Sequence, residues 1–165
     1  MSIALATLTL RLPDDAATRA LGASLAEQLA PGWIVTLSGQ LGAGKTTLVQ
    51  GLLAALGETK RVRSPTYTLV ESYSPPGWTV HHFDLYRFDH AADWNDAGLQ
   101  DLIDEQAVAL IEWPERAAEA LPPSDLRIAL TITERGREAQ LVFDTPRAAA
   151  TSSALKAAAG AYAQT

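Results

Sequence analysis

One eight-residue stretch constrains this chain more than anything else in it. Gly39-Gln40-Leu41-Gly42-Ala43-Gly44-Lys45-Thr46 fills every fixed position of the pattern G-x-x-x-x-G-K-[ST]. The apolar run Trp33-Ile34-Val35-Thr36-Leu37 before it reads as a buried strand. After it, Leu48, Leu52 and Leu56 recur on one face of a helix that Gly57 ends. Strand, glycine-rich loop and helix in that order suit a polyphosphate. Such a ligand carries several negative charges on adjacent groups, so its site must offer many donors and little side-chain bulk. Glycines let successive backbone N–H groups turn inward, and the helix N-terminus adds the positive end of its dipole. Lys45 would bring a mobile cation to the β- and γ-phosphates, and Thr46 a hydroxyl for Mg2+. The chain has only three lysines (Lys45, Lys60 and Lys156), and one falls where this chemistry needs it. The stretch predicts a nucleotide-binding loop.

Composition narrows the field. With 165 residues, 47% of them apolar and 19% charged, the chain is the size of one domain and can bury a core. A formal charge of −6 argues against a general nucleic-acid coat. Without cysteine there is no disulfide frame and no thiolate metal site. The longest unbroken apolar runs, Leu52–Leu56 and Ala107–Ile111, are far short of the roughly 20 residues of a membrane span. No secretory leader is evident, so a cytoplasmic protein is expected. Guanine-specific GTPases read their base with N/T-K-x-D; the nearest approach, Thr59-Lys60-Arg61-Val62, has valine in place of the aspartate. Adenine is the better-matched base.

The remaining elements predict an α/β fold with a mixed, mainly parallel central sheet flanked by helices. Thr7–Leu10 alternates like a strand, and Asp14 can cap a helix carrying Ala17, Leu21, Leu25 and Leu29 on one face, stopped by Pro31-Gly32. Thr66–Tyr73 and Trp78–Phe83 read as one hairpin pair. Leu126–Thr133 and Glu138–Phe143 read as another, meeting at Glu134-Arg135-Gly136-Arg137. Ala107–Ile111 reads as a strand that ends at Glu112. The domain is expected to span 1–147, with 148–165 an alanine-rich helix or frayed tail.

Further along, Ser64-Pro65-Thr66-Tyr67-Thr68-Leu69-Val70-Glu71, His82-Phe83-Asp84-Leu85-Tyr86-Arg87 and Leu110-Ile111-Glu112-Trp113-Pro114 follow the loop. In this order and spacing the series resembles the TsaE family of small bacterial ATPases, from about Asp14 through Gly136-Arg137-Glu138. The resemblance implies a single-domain P-loop NTPase, Mg-dependent, that binds ATP. It implies service in making threonylcarbamoyladenosine, a modification beside the anticodon of tRNA. The partners it implies are a transferase subunit, TsaD, and its companion TsaB, with tRNA touched indirectly and hydrolysis resetting the complex between cycles.

Lys45, Asp84 and Glu112 are the catalytic candidates, and Thr46, Asp84 and Glu112 the candidate Mg2+ ligands. Nucleotide contacts are expected from Gly39, Gln40, Leu41, Gly42, Ala43, Gly44, Lys45, Thr46, Thr47, Thr66, Trp113 and Arg137. Glu112 follows a buried strand, so its carboxylate should emerge at the carboxyl edge of the sheet, where open α/β folds bind ligands. It could instead open the next helix as a surface acid. Asp84 could hold metal or water, or cap a turn. Arg87 could meet the γ-phosphate, pair with Asp84 or Glu112, or face a partner. Thr66 could sense the nucleotide in a switch loop or merely start a strand. Trp113 could line the site or pack in the core. Arg137 resembles a family position near the base, or belongs to a simple hairpin. His81, His82 and His90 offer no matched metal-ligand set, and Lys60, Arg61 and Arg63 form a short positive loop. The acidic stretch from Asp89 to Glu105 could meet a partner or only solvent. Position 40 is usually aspartate in the family and is Gln40 here, which puts the hydrolysis rate in doubt. A small-molecule kinase and a binding-only module whose hydrolysis Gln40 has silenced are the competing readings.

Overall fold

The computed structural model describes residues 3–164; Met1, Ser2 and Thr165 fall outside it. Among the described residues, strands β1 (Ala6–Leu12), β2 (Ile34–Ser38), β3 (Val70–Tyr73), β4 (Val80–Asp84), β5 (Val108–Glu112), β6 (Leu126–Thr133) and β7 (Gly136–Phe143) form one sheet. Their order across it is β1-β7-β6-β2-β5-β4-β3. The four central strands, β6, β2, β5 and β4, run parallel. Both hairpins, β3–β4 and β6–β7, are antiparallel, and β1 crosses to the far edge to pair antiparallel with β7. Three of the six junctions are therefore parallel, and the sheet is evenly mixed, not mainly parallel. Short loops can join only antiparallel neighbours, and this chain spends two of its connections that way.

Burial explains the parallel centre. Every residue of β4 and β5 is buried, as strands covered on both faces must be. On one face lie helices α1 (Asp15–Gln28) and α2 (Lys45–Ala55), which pack on each other through Gly22 and Gly51, where a Cβ would strike the opposing backbone. Asp14 caps α1, its carboxylate accepting from Ala17 N at 2.8 Å. The end of α2 is a Schellman turn: Gly57, at φ 97°, and Glu58 donate back to Ala54 and Leu53. The other face is covered over β4 and β5 by the acidic segment with its short helix α3 (Asp93–Asp96). There Phe83, Leu85, Trp94 and Ile111 make a second, smaller core. After α4 (Pro146–Ala149), helix α5 (Ser152–Ala159) buries Leu155 and Ala159 against α1 and β1. Gln164 then pairs with Arg11 along the β1 edge.

One expected strand starts late. Residues 66–68 turn instead of extending, and pairing begins at Val70. Leu69 N donates to Pro65 O at 2.8 Å, Leu69 adopts φ 68°, and the Thr66 hydroxyl is drawn toward Asp84. Side-chain bonding to a buried acid outweighs the strand preference of the threonines.

Candidate functional site

The glycine-rich loop leaves the carboxyl end of β2 and enters the first turn of α2. Gly44, the residue before the helix, has φ 108°, a conformation side chains resist. A Cβ there would also stand 3.0 Å from the Arg137 guanidinium. The loop is thus compatible with glycine at the point where backbone N–H groups open toward the helix end. Lys45 is the first residue of α2 and is buried. Its ammonium donates to the carbonyls of Gly39 and Gln40, the latter at 3.1 Å, and lies 4.3 Å above the centre of the Trp113 ring. Burial pushes it below the usual lysine range against the pull of Glu112, Asp84 and Glu115.

Two acids face that lysine from neighbouring strands. The parallel register sets Asp84 at the tip of β4 beside Glu112 at the tip of β5, and alternation puts His82 on the same face as Asp84. Asp84 is held at both oxygens. Ser64 Oγ and Thr66 Oγ1 (3.2 Å) donate to Oδ2, and Tyr86 N donates to Oδ1 at 2.9 Å. It therefore caps a turn and fronts the site at once. Glu112, only 2% exposed, accepts a hydrogen bond from His82 Nε2 at 2.6 Å on Oε2. His82 is wholly buried, and its Nδ1 has no partner among the described residues. An unmet buried polar atom costs about 1–3 kcal/mol. Trp113, next to Glu112, sits at φ 58°, a left-handed conformation that costs a tryptophan on the order of 1–3 kcal/mol. Its ring packs against Tyr86 at 5.0 Å between centroids, tilted by 57°.

These groups line one cleft of about 440 Å³. Of the residues expected at the site, Leu41, Gly42, Gly44, Lys45, Thr46, Thr47, Thr66, Asp84, Glu112, Trp113 and Arg137 line it. Gly39, Gln40 and Ala43 do not. Gly39 and Gln40 supply the carbonyls that hold Lys45, and Ala43 is buried beneath the loop. Arg137 lies in β7, not in the hairpin turn. It donates to Asp15 at 2.6 Å and Thr18 at 3.2 Å, tying the far wall of the cleft to α1. Among the described residues Arg87 pairs with neither Asp84 nor Glu112. It stacks at 4.1 Å on the ring of Tyr67, which is 82% exposed. Ser64, Tyr86 and His82 are the contributors that motif reading did not assign. A hint for each lay in its place beside Thr66, Asp84 or the strand tip. A second, larger groove of about 620 Å³ runs along the opposite sheet face near Leu121 and Val142. No charge there is both buried and unpaired, whereas the first cleft gathers a buried cation and two buried acids.

The model of the family described as threonylcarbamoyl adenosine biosynthesis protein TsaE matches residues 12–140. This chain belongs to the TsaE family. The tRNA threonylcarbamoyladenosine biosynthesis protein TsaE of Haemophilus influenzae is 36% identical over 144 residues, 84% of this chain and 91% of that protein. Its namesake in Synechocystis is 42% identical over 114 residues, 64% of this chain and 69% of the other. The crystal structure of Bacillus subtilis YdiB superposes with a TM-score of 0.79 at 29% identity, over 92% of this chain and 95% of that one. The TsaE match spans the glycine-rich loop, both strand-tip acids and Arg137, so every cleft-lining residue lies inside it. Among the described residues, no helix of this TsaE-family chain is long and apolar enough to cross a membrane.

Proposed function

We propose that this chain is a Mg-dependent, cytoplasmic P-loop ATPase that drives a TsaB–TsaD transferase heterodimer in threonylcarbamoyladenosine modification of tRNA. Family membership supports the pathway. The observation that carries the activity is the convergence of the glycine-rich loop, Lys45 and two strand-tip acids on one cleft.

The loop amides of residues 39–46 and the dipole of α2 bind the phosphate chain, and Lys45 exchanges its two carbonyl partners for phosphate oxygens. Asp84, Glu112 and the Thr46 hydroxyl are hard oxygen donors that fit Mg2+. No group of three or more His, Cys, Asp or Glu among the described residues is placed to hold a metal unaided. That suits an ion that shares its shell with waters and substrate phosphates. When bound, Mg2+ neutralises charge on the oxygens of the transferring group. Glu112 and Asp84 also orient the attacking water, while Trp113 and Tyr86 wall one side of the cleft. Arg137 is suited to the base end of the nucleotide. Because Ser64 and Thr66 both bond Asp84, the order of their loop is coupled to what Asp84 binds, which makes the segment a nucleotide-responsive contact for TsaD or TsaB. tRNA is reached through those partners. Hydrolysis by the chain alone is slow.

The test is twofold. ADP formation without any added acceptor supports an ATPase; strict dependence on a small acceptor would favour a kinase. Co-purification with the heterodimer should differ between ATP and ADP. A Lys45→Ala variant that kept full ATP affinity would contradict the site assignment.

A further inference from the structure

The buried pair His82–Glu112 is not explained by packing. Both residues sit on central strands every residue of which is buried. An imidazole wholly out of water with Nδ1 unpartnered is a poor choice for a core position that a leucine would fill without loss. Its one satisfied atom, Nε2, donates to Glu112 Oε2 at 2.6 Å, the shortness of a charge-assisted bond. No other hydrogen bond reaches the Glu112 carboxylate among the described residues, and Glu112 lines the cleft. One oxygen is thus held from inside the sheet and the other is free to act. Asp84 is anchored differently, by hydroxyls and an amide on the cleft side.

We propose that His82 is a positioning residue that grips Glu112 by Oε2 and presents Oε1 to the metal and phosphate side of the cleft. The inference rests on the ATPase reading above. Without the imidazole, Glu112 at the end of its strand can rotate toward Lys45 and pair with it, removing both from the ligand. Outer partners of metal-binding carboxylates commonly change affinity or activity by about 10–100-fold when removed.

The experiment compares His82→Leu, which keeps buried volume and deletes the donor, with His82→Gln, whose amide reaches the Nε2 position, and His82→Asn, whose shorter amide does not. ADP affinity is titrated with EDTA and with saturating Mg2+, alongside single-turnover ATP cleavage. His82→Leu and His82→Asn should bind ADP within twofold of wild type in EDTA. They should lose about tenfold of the affinity gained from Mg2+ and cleave ATP about 10–100-fold more slowly. His82→Gln should recover most of both losses. If His82→Leu fails to fold, the Gln–Asn pair decides alone, since both insert a polar amide and only one reaches Glu112. Equal behaviour of Gln and Asn, or a Mg2+ increment unchanged in Leu, overturns the positioning role while leaving the ATPase reading intact. A wild-type chain that binds no nucleotide with or without Mg2+ overturns that reading and this proposal with it.

Discussion

The two ends of strand β2 are built on opposite principles. At its amino end the buried Asp125 carboxylate is saturated. It accepts from Ile34 N at 2.9 Å, Thr145 Oγ1 at 2.8 Å, Arg147 Nε at 2.8 Å and Arg147 Nη2 at 2.9 Å. Arg147 reaches on to the Gly32 carbonyl at 3.0 Å, fastening α4 beneath the sheet. At the carboxyl end a buried lysine and two buried acids line the same cleft, yet among the described residues Lys45 makes no ion pair. Its partners are two loop carbonyls and an aromatic face, while His82 and Trp113 hold an unmet nitrogen and a left-handed backbone. One end has spent its polar groups on folding. The other keeps charges of opposite sign buried and apart, a costly arrangement that a ligand carrying both phosphate and cation would relieve.

The sharpest test of that contrast is Lys45→Met, which keeps the apolar stem and deletes the charge. ATP cleavage should fall by about 100- to 1,000-fold, the scale of losing one preorganised donor. The unfolding midpoint in urea should hold or rise, because burial disfavours this ammonium in the folded chain. A midpoint that dropped sharply would mean that both ends serve stability, and the contrast would be lost. The converse substitution, Asp125→Ala, should cost on the order of 2–3 kcal/mol, since it strands the Ile34 amide and loosens α4. Cleavage per folded molecule should stay within twofold of wild type. Loss of cleavage at temperatures where the variant is fully folded would tie the amino end to the chemistry.

Only strong acid should undo the amino end. Burial alone would raise the Asp125 carboxyl, but hydrogen bonds from Arg147, the Ile34 amide and Thr145 outweigh it and hold the group below the usual carboxylate range. A depressed folded value means that its contribution is complete above the unfolded value of about 3.9 and disappears as pH falls through the lower folded one. The stability gap between wild type and Asp125→Asn should therefore be constant from neutral pH down to about 4 and close below it. Urea midpoints measured across that range check this, and a gap that persisted into strong acid would remove the carboxylate as its source.

Legibility in the sequence followed the range of the interactions. The loop and the strand and helix around it were readable because every residue involved lies in the unbroken stretch from Trp33 to Gly57 and the loop obeys a fixed spacing. Glu112 and Asp84 were readable as strand ends. Their adjacency was not, because it depends on the β4–β5 register between residues 28 positions apart. The His82–Glu112 bond is of the same kind: a histidine two residues before an aspartate carries no local mark of what lies opposite. Arg87 went unread because its partner, Tyr67, is an exposed residue twenty positions back on a turn that strand propensity had disguised. That the sheet is mixed was readable from its two hairpins, but its even division was not, because β1 carries no sign of which edge it will join.

Gln40 gives the smallest expected effect and probes how the loop works. The TsaE resemblance marks aspartate as usual there, so glutamine could be read as a catalytic loss. In the fold the Gln40 side chain is exposed and does not line the cleft, while its backbone carbonyl accepts from Ala43 N at 3.0 Å and from Lys45 Nζ at 3.1 Å. The residue's work at this position is done by the main chain, which glutamine and aspartate share. An added surface carboxylate beside the loop is screened by water and salt and should weaken phosphate binding only slightly. Gln40→Asp should accordingly change ATP affinity and single-turnover cleavage by no more than about threefold and leave the unfolding free energy from urea titration within about 0.5 kcal/mol of wild type. A tenfold gain in cleavage would show that a side chain at position 40 reaches the reacting phosphate, and that the carboxyl end of β2 has one more working group than the cleft geometry assigns it.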